Sequence, residues 1–132
     1  MSINDEWNMV KEFHIASKHP ISDSPTMLHK ERLMQRIKWM LEEIDELKEA
    51  NNIYEQADAI IDLIYFALGT LVEMGIPPKE LFRIVHQANM KKVMSNNEVL
   101  TRDDGKILKP AGWTDPGDQL KEVIDSLVKI KD

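Results

Sequence analysis

The sequence of 132 residues contains no cysteine. Disulfide bonds, zinc-thiolate centres and a cysteine nucleophile are therefore excluded, and the fold has to depend on packing. The sequence also lacks the run of about 20 apolar residues that a membrane-spanning helix requires. Its first ten residues, MSINDEWNMV, are acidic and not basic, unlike a secretory signal. These absences predict a cytoplasmic protein that is not embedded in a membrane.

Acidic residues outnumber basic ones: the sequence has 17 Lys and Arg and 23 Asp and Glu, which gives a net charge of −6. Nucleic acid polymers and anionic membranes are bound mainly through Lys and Arg contacts with phosphate, so neither is an expected partner. A small anionic ligand would need a cation to bridge it to an acidic protein.

Proline and glycine divide the chain into five helical segments without an internal repeat. The length suits a single all-α domain over residues 1–132. The expected segments are about Asn4–Lys18, about Pro25–Ala50 after a cap at Ser24, about Ile53–Met74, a fourth helix opened by PPKE and a fifth opened by Asp115-Pro116. Between the last two, VLTRDDGKILKP carries Asp104-Gly105 and predicts a short β-hairpin.

The third segment is apolar nearly all round, which is typical of a helix at the centre of an assembly. It offers more apolar surface than the other four segments of one chain can cover, so we expect a homodimer, or a tetramer built in the same way. The residues expected in this contact are Leu68, Leu71 and Val72. The aromatic residues interpreted as core are Trp7, Phe13 and Trp39.

The stretch LEEIDELKEA crowds five carboxylates into little more than two helical turns. Glu43 and Glu46 are three residues apart, and Glu42 precedes Glu46 by four, so all three share one helix surface. Taken alone, this cluster is better explained as an acidic face in contact with water.

A second helix changes that interpretation. Asp58 and Asp62 lie one turn apart and are the only charged residues between Ala57 and Val72. Burial of an ionised carboxylate without a partner is costly, so the pair needs a cation; the alternative is an exposed Asp58 and an Asp62 paired with Lys or Arg. Two helices that offer carboxylates at turn spacing predict an all-oxygen site for Mg²⁺ or Mn²⁺.

Carboxylate-bound hard cations commonly serve phosphate chemistry, and basic residues are then expected nearby. Asn89 and Lys92 are three apart on the fourth segment, while Lys106 and Lys109 surround the predicted hairpin. Each of these lysines alone is better explained as an ordinary surface residue.

The motifs EEIDE, DAIIDLIYFALGTLVEMGI, HQANMKKV and DGKILKPAGW resemble those of the all-α nucleoside triphosphate pyrophosphatases, the superfamily of MazG-like and phosphoribosyl-ATP pyrophosphohydrolase-like proteins. The resemblance covers most of the chain, and EEIDE matches the EExxE motif of these proteins. It implies a helical bundle completed by a second subunit. It also implies that Glu43, Glu46, Asp58 and Asp62 are metal ligands supported by Glu42. Asn89, Lys92, Lys106 and Lys109 would hold the phosphates or the sugar.

The sequence departs from these proteins at the second acidic motif, which is usually ExxD. If Asp62 is its last residue, Ala59 occupies the glutamate position; Glu55 and Asp58 fit ExxD in the other register. Lys91 stands where close relatives tend to have a small residue. The sequence therefore leaves open which acidic pair leads.

The activity implied by the resemblance is Mg²⁺-dependent hydrolysis of a (d)NTP to a (d)NMP and pyrophosphate, as in cleaning of the nucleotide pool. Glu43 or Glu46 would orient or deprotonate the attacking water. One alternative is a non-catalytic helical module whose carboxylates bind a structural cation or a basic partner. Another is phosphoribosyl-ATP hydrolysis, which DGKILKPAGW disfavours because that motif resembles the nucleotide-cleaning branch.

Overall fold

The computed structural model describes residues 1–94 and 99–128, and within them it contains five α-helices and no β-sheet. The helices are α1 (Ile3–Ser17), α2 (Lys30–Glu49), α3 (Ile53–Met74), α4 (Lys79–Met94) and α5 (Gly117–Leu127). The prediction of an all-α protein with five helices is confirmed. No single helix in this part of the chain is long and apolar enough to cross a membrane.

The chain divides into two compact units. The first contains Met1–Pro78, with α1, α2 and α3, together with Leu127 and Val128; the second contains Lys79–Ser126, with α4 and most of α5. The single domain expected over residues 1–132 stays a prediction.

The core of the first unit lies where α3 packs against α1. Trp7 and Val10 of α1 contact Leu68 and Val72 of α3, and Val72 is completely buried. Leu71 is partly buried against the same cluster. The assignment of Leu68 and Val72 to a contact with a second copy is therefore wrong, because α1 of the same chain covers them. The dimer itself stays a prediction.

Helix α3 begins and ends at the residues expected from the sequence. Asn52 caps its start by accepting a hydrogen bond from the backbone N–H of Glu55 at 2.9 Å. Gly75 ends it in the left-handed region, with φ of 70°. A Cβ atom at this glycine would collide with the backbone carbonyls of Ser22 and Ser24. Both the conformation and the close approach thus require glycine.

The start predicted for α2 at Ser24-Pro25 is wrong, because the helix begins at Lys30. The intervening chain instead bonds to the end of α3. The backbone N–H groups of Ser22 and Thr26 donate to carbonyls in the last turn of α3 at 3.3 and 2.8 Å. The last carbonyls of a helix lack N–H partners from a following helical turn, so these long-range bonds outweigh the local start signal.

In the second unit, the residues around Asp104-Gly105 form a turn. Thr101 and Ile107 make one isolated antiparallel bridge, and the N–H of Arg102 donates to the carbonyl of Lys106 at 2.7 Å. A regular hairpin is not confirmed by a single bridge and stays a prediction; part of the sequence between α4 and this turn, residues 95–98, lies outside the described residues.

Candidate metal centre and adjoining cleft

Three carboxylates from two helices converge in the first unit. Glu43 and Glu46 of α2 and Asp62 of α3 each offer one oxygen, and these oxygens lie within 4.8 Å of one another. Two features bring them together: the three-residue spacing in α2 places its two glutamates on one face, and that helix packs against α3. The structure thus joins the two acidic segments that the sequence analysis singled out.

The pKa values of Glu43 and Asp62 are both raised in this environment. Burial, followed by the adjacent Glu46 and the charges of Asp62 and Asp58, raises the pKa of Glu43 to about 7. The pKa of Asp62 is also raised, mainly by burial and then by the charges of Asp58 and Glu46. Both shifts mean that the site holds negative charge at a cost, which a bound cation would remove.

No basic side chain neutralises these carboxylates in the part of the chain that the structure describes. The ion pairs found there join Glu73 to Arg32 and Arg36, Arg102 to Asp104 and Lys121 to Asp125. Glu43 Oε2 is buried and has no hydrogen-bond partner among the same residues. An unpartnered buried oxygen within an all-carboxylate set fits a hard divalent cation such as Mg²⁺ or Mn²⁺.

The remaining acidic candidates lie beside this cluster. Glu42 is exposed and lines the cleft next to Glu43. Asp58 is exposed and lines a smaller hollow together with Glu46 and Glu55. Glu55 also accepts a hydrogen bond from the N–H of Asn51 at 3.0 Å, so its carboxylate helps to fix the start of α3. Of the two possible registers, the one ending at Asp62 contributes to the convergent cluster.

A cleft of about 570 Å³ opens from the acidic residues and is walled by aromatic rings. Phe13 and Tyr65 meet edge to face with centroids 5.7 Å apart, and Trp39 and Phe66 lie 6.0 Å apart. Trp7 is core, as expected, but the expectation is wrong for Phe13, which is 49% exposed, and for Trp39, which is partly buried and lines the cleft. Phe13 lies on the same helix as Trp7 but lines the cleft and not the core.

The cleft also includes a buried arginine that the sequence analysis missed. Arg36 donates to Thr70 Oγ1 at 3.1 Å and to the carbonyl of Phe66 at 2.8 Å, and it forms an ion pair with Glu73 at 3.1 Å. Arg32 binds the same carboxylate through two nitrogens at 2.7 and 2.9 Å. The sequence does contain a signal for this ion-pair network. Arg32 and Arg36 are four residues apart on α2, and Glu73 is a single acidic residue near the end of the apolar helix α3.

His14 lies buried at the inner side of the cleft. Its Nδ1 lies 2.9 Å from the carbonyl of Pro20, which only accepts hydrogen bonds, so Nδ1 carries the proton. The pKa of His14 is lowered, chiefly by burial, and the charge of Arg36 contributes to the same direction. The imidazole is therefore neutral near pH 7.

The predicted phosphate ligands all belong to the second unit. Lys92 and Lys109 place their ammonium groups 5.0 and 5.3 Å from the ring centre of Trp113, a residue that the sequence analysis did not select. The indole N–H of Trp113 donates to the carbonyl of Ala88 at 2.8 Å, and a cavity of about 680 Å³ lies beside the ring. The side chains of Asn89 and Lys106 are exposed. The assignment of these four residues to the substrate stays a prediction.

Comparison with known proteins adds to this geometry. The family model described as phosphoribosyl-ATP pyrophosphohydrolase matches residues 10–89, more than half of the chain. The matched part includes all five acidic candidates and Asn89. The chain is also similar to a candidate NTP pyrophosphohydrolase from Exiguobacterium sp. 255-15, whose crystal structure was determined at 1.78 Å. The two are 29% identical over 91% of this chain and 95% of that one, with a TM-score of 0.47. No curated protein matches the chain. The family match over residues 10–89 is the decisive result: the chain belongs to the phosphoribosyl-ATP pyrophosphohydrolase family.

Proposed function

We propose that this protein is a Mg²⁺-dependent nucleoside triphosphate pyrophosphohydrolase that converts a (d)NTP to a (d)NMP and pyrophosphate, as a nucleotide-pool cleaning enzyme does. Membership of the family supports hydrolysis of a phosphoanhydride bond. The observation that supports the proposed Mg²⁺-dependent reaction on a (d)NTP is the group of unneutralised carboxylates at one end of an aromatic cleft.

Glu43, Glu46 and Asp62 would hold the cation, with Glu42 and Asp58 beside them. When bound, Mg²⁺ or Mn²⁺ would neutralise the polyphosphate and make the reacting phosphorus more electrophilic. The net charge of −6 would otherwise repel such a substrate.

The reaction needs only one water molecule and no covalent intermediate. Glu43 or Glu46 would orient this water and accept its proton while the P–O bond between the α- and β-phosphates breaks. The oxygen of the water bonds to the phosphorus that it attacks, and the other product leaves with the bridging oxygen and its bonding electrons.

The aromatic walls suit the flat base of a nucleotide. Phe13, Trp39, Tyr65 and Phe66 all line the cleft that begins at the acidic residues, and base–aromatic stacking is tolerant of base identity. In this proposal Asn89, Lys92, Lys106 and Lys109 contact the phosphates or the sugar.

Phosphoribosyl-ATP is the second candidate substrate, because the matched family carries that description. It contains the same phosphoanhydride bond, so the acidic cluster alone does not distinguish the two. A non-catalytic module is the third candidate, in which the carboxylates bind a structural cation or a basic partner.

The test is release of pyrophosphate from a panel of all common NTPs and dNTPs and phosphoribosyl-ATP, with Mg²⁺, with Mn²⁺ and with EDTA. We expect cation-dependent turnover of at least one NTP or dNTP in preference to phosphoribosyl-ATP. Preference for phosphoribosyl-ATP would replace the proposed substrate, and absence of turnover across the panel would favour the non-catalytic module. The Asp62→Asn variant, purified in parallel, controls for contaminating phosphatases.

The proposal includes a second copy of the chain. Ile53, Ala57, Ile60, Ile64 and Ala67 follow one another on α3 at alternating spacings of four and three, and all five are exposed. This spacing forms a continuous stripe on the face of α3 opposite Asp62. An uncharged stripe of this kind is self-complementary in a two-fold dimer.

A further inference from the structure

The ion pairs below the cleft form a closed network of three residues. The side chain of Glu73 is fully buried and accepts two hydrogen bonds from Arg32, at 2.7 and 2.9 Å, while its Oε2 lies 3.1 Å from Arg36 Nη1. Buried ion pairs of this kind often stabilise a fold no better than apolar residues of similar size, because desolvation offsets their attraction. Stability is therefore a weak explanation for this network, and its geometry suggests another.

Both arginines of the network lie against one wall of the cleft. The guanidinium carbons of Arg32 and Arg36 are 5.1 and 5.3 Å from the ring centre of Trp39, and that of Arg36 is also 5.6 Å from the ring of Phe66. Arg36 donates to the backbone carbonyl of Phe66 as well. Glu73 thus binds both guanidinium groups, and these groups lie against the Trp39–Phe66 wall.

This wall is directly connected to the acidic cluster. Trp39 precedes Glu42 and Glu43 by three and four residues on α2, so its ring lies one turn from them on the same helix surface. A rotation of the ring would move the surface offered to a base relative to the carboxylates. Small displacements of the substrate relative to the catalytic groups are sufficient to alter the kinetics.

Gly69 permits the arrangement. A Cβ atom at this position would collide with Arg36 Nη2 and lie 2.9 Å from His14 Nε2. The guanidinium therefore occupies the volume that a side chain on α3 would take. Glycine inside a helix is unfavourable for helix formation, and here the close approach of Arg36 accounts for it.

We propose that Glu73 is a positioning residue which, through Arg32 and Arg36, fixes the Trp39–Phe66 wall that receives the base of the nucleotide. The inference rests on the proposed function, since it names a determinant of substrate binding for that reaction. Glu73 itself does not touch the substrate and acts only through the two arginines.

The test compares Glu73→Gln with Glu80→Gln, a matched change at an exposed residue of α4. Glu73→Gln keeps the size of the side chain but removes its charge. We expect its KM to rise roughly tenfold while kcat stays within about twofold, and we expect Glu80→Gln to change neither. A lower Tm with unchanged KM would overturn the proposal, because that result describes a purely structural ion pair.

A double-mutant cycle with Trp39→Ala identifies the route of the effect. If Glu73 acts through Trp39, Glu73→Gln should change KM by less than about twofold once Trp39 has been removed. A rise in KM of the same size in both backgrounds would contradict the proposal. If Glu73→Gln does not fold, Arg36→Lys takes its place in the same cycle, because lysine keeps the charge but loses the planar, multiple hydrogen bonding.

A readout without turnover separates this inference from the proposed function. In protein labelled with 5-fluorotryptophan, the ¹⁹F resonance of Trp39 is assigned by its loss in Trp39→Phe. We expect Glu73→Gln to shift or broaden this resonance while that of Trp113 is unchanged. An unchanged Trp39 resonance overturns the positioning role, whereas absence of turnover in the wild-type protein overturns only the proposed function.

Discussion

Glu43 on α2 and Asp62 on α3 bring carboxylate oxygens within 4.8 Å of each other, and the pKa values of both side chains are raised. Like charges at this separation are unfavourable unless a proton or a cation joins them. The first unit thus contains unfavourable electrostatic repulsion at the end of its aromatic cleft. Removal of one charge should have opposite effects on the folded protein and on its activity.

Asp62→Asn should lower Mg²⁺-dependent turnover by at least about 100-fold, because loss of a direct ligand exceeds the 10–100-fold cost typical of changes around a metal site. In EDTA, the Tm of the variant should equal or exceed that of the wild type, since repulsion is relieved. Turnover and thermal melting with and without Mg²⁺ measure both effects. Unchanged turnover would remove Asp62 from the site, and a much lower Tm with no response to Mg²⁺ in either protein would make Asp62 a structural residue.

His14 should make the fold sensitive to acid. Burial lowers its pKa in the folded protein below the ordinary value of 6.5, so the unfolded chain binds the proton more readily. The contribution of neutral His14 to the free energy of unfolding is therefore complete above pH 6.5, and it is lost as the pH falls through the lower pKa of the folded state. Urea unfolding between pH 8 and pH 5 should give a steeper acid-side loss of stability for wild type than for His14→Asn, which retains an N–H donor for the carbonyl of Pro20.

The pH dependence of wild type has to be compared with that of His14→Asn, because Glu43 also titrates in wild type. Glu43 has a raised pKa of about 7, so it contributes the opposite slope in the same range: protonation of the folded protein favours folding as the pH falls from about 7 toward 4.5. The difference between wild type and His14→Asn cancels this contribution. Equal slopes for the two proteins would contradict the role given to His14.

Local signals explain which parts of the fold were predictable. The cap at Asn52 and the stop at Gly75 directly flank α3 in the sequence, and both ends of that helix were predicted correctly. The start of α2 was not, because Ser22 and Thr26 bond to a helix end far along the chain. Such bonds are determined by tertiary packing and leave no periodic pattern in the sequence.

The same distinction applies to the candidate site. Glu43, Glu46 and Asp62 could be selected because helical spacing shows which carboxylates share a face of each helix, but the same spacing also selected Glu42 and Asp58, which lie beside the cluster. The inward turn of Glu73 and Arg36 could not, because it depends on the space left by Gly69 and on packing between two helices. Phe13 was misplaced for a related reason: a three-residue apolar spacing identifies a stripe but not which rings at its edge border a cleft.

Ile64→Glu should convert a dimer into monomers. Ile64 is 47% exposed in the single chain and lies in the middle of the apolar stripe on α3, so a carboxylate there would be buried without a partner in a two-fold contact. Light scattering at micromolar concentration gives the mass. Ile15→Glu is the matched control, because Ile15 is 60% exposed but lies on α1, and this variant should remain a dimer. A monomeric wild type would remove the dimer from the proposal.

Gly69→Ala should fail to stabilise the protein although alanine is the better helix former. Helix propensity alone predicts a gain of about 1 kcal/mol in the free energy of unfolding. The added Cβ would instead displace the Arg36 guanidinium and crowd His14, and overpacking of this kind costs about 1–3 kcal/mol. We therefore expect little change or a net loss of up to about 2 kcal/mol in urea unfolding. The same substitution in an Arg36→Met background should be more favourable, because methionine is flexible and removes the colliding nitrogen. If Gly69→Ala instead stabilises the wild type by the full helix-propensity gain, Arg36 does not require a glycine at this position. The close packing between Gly69 and the Arg36 guanidinium would then not explain where that guanidinium lies.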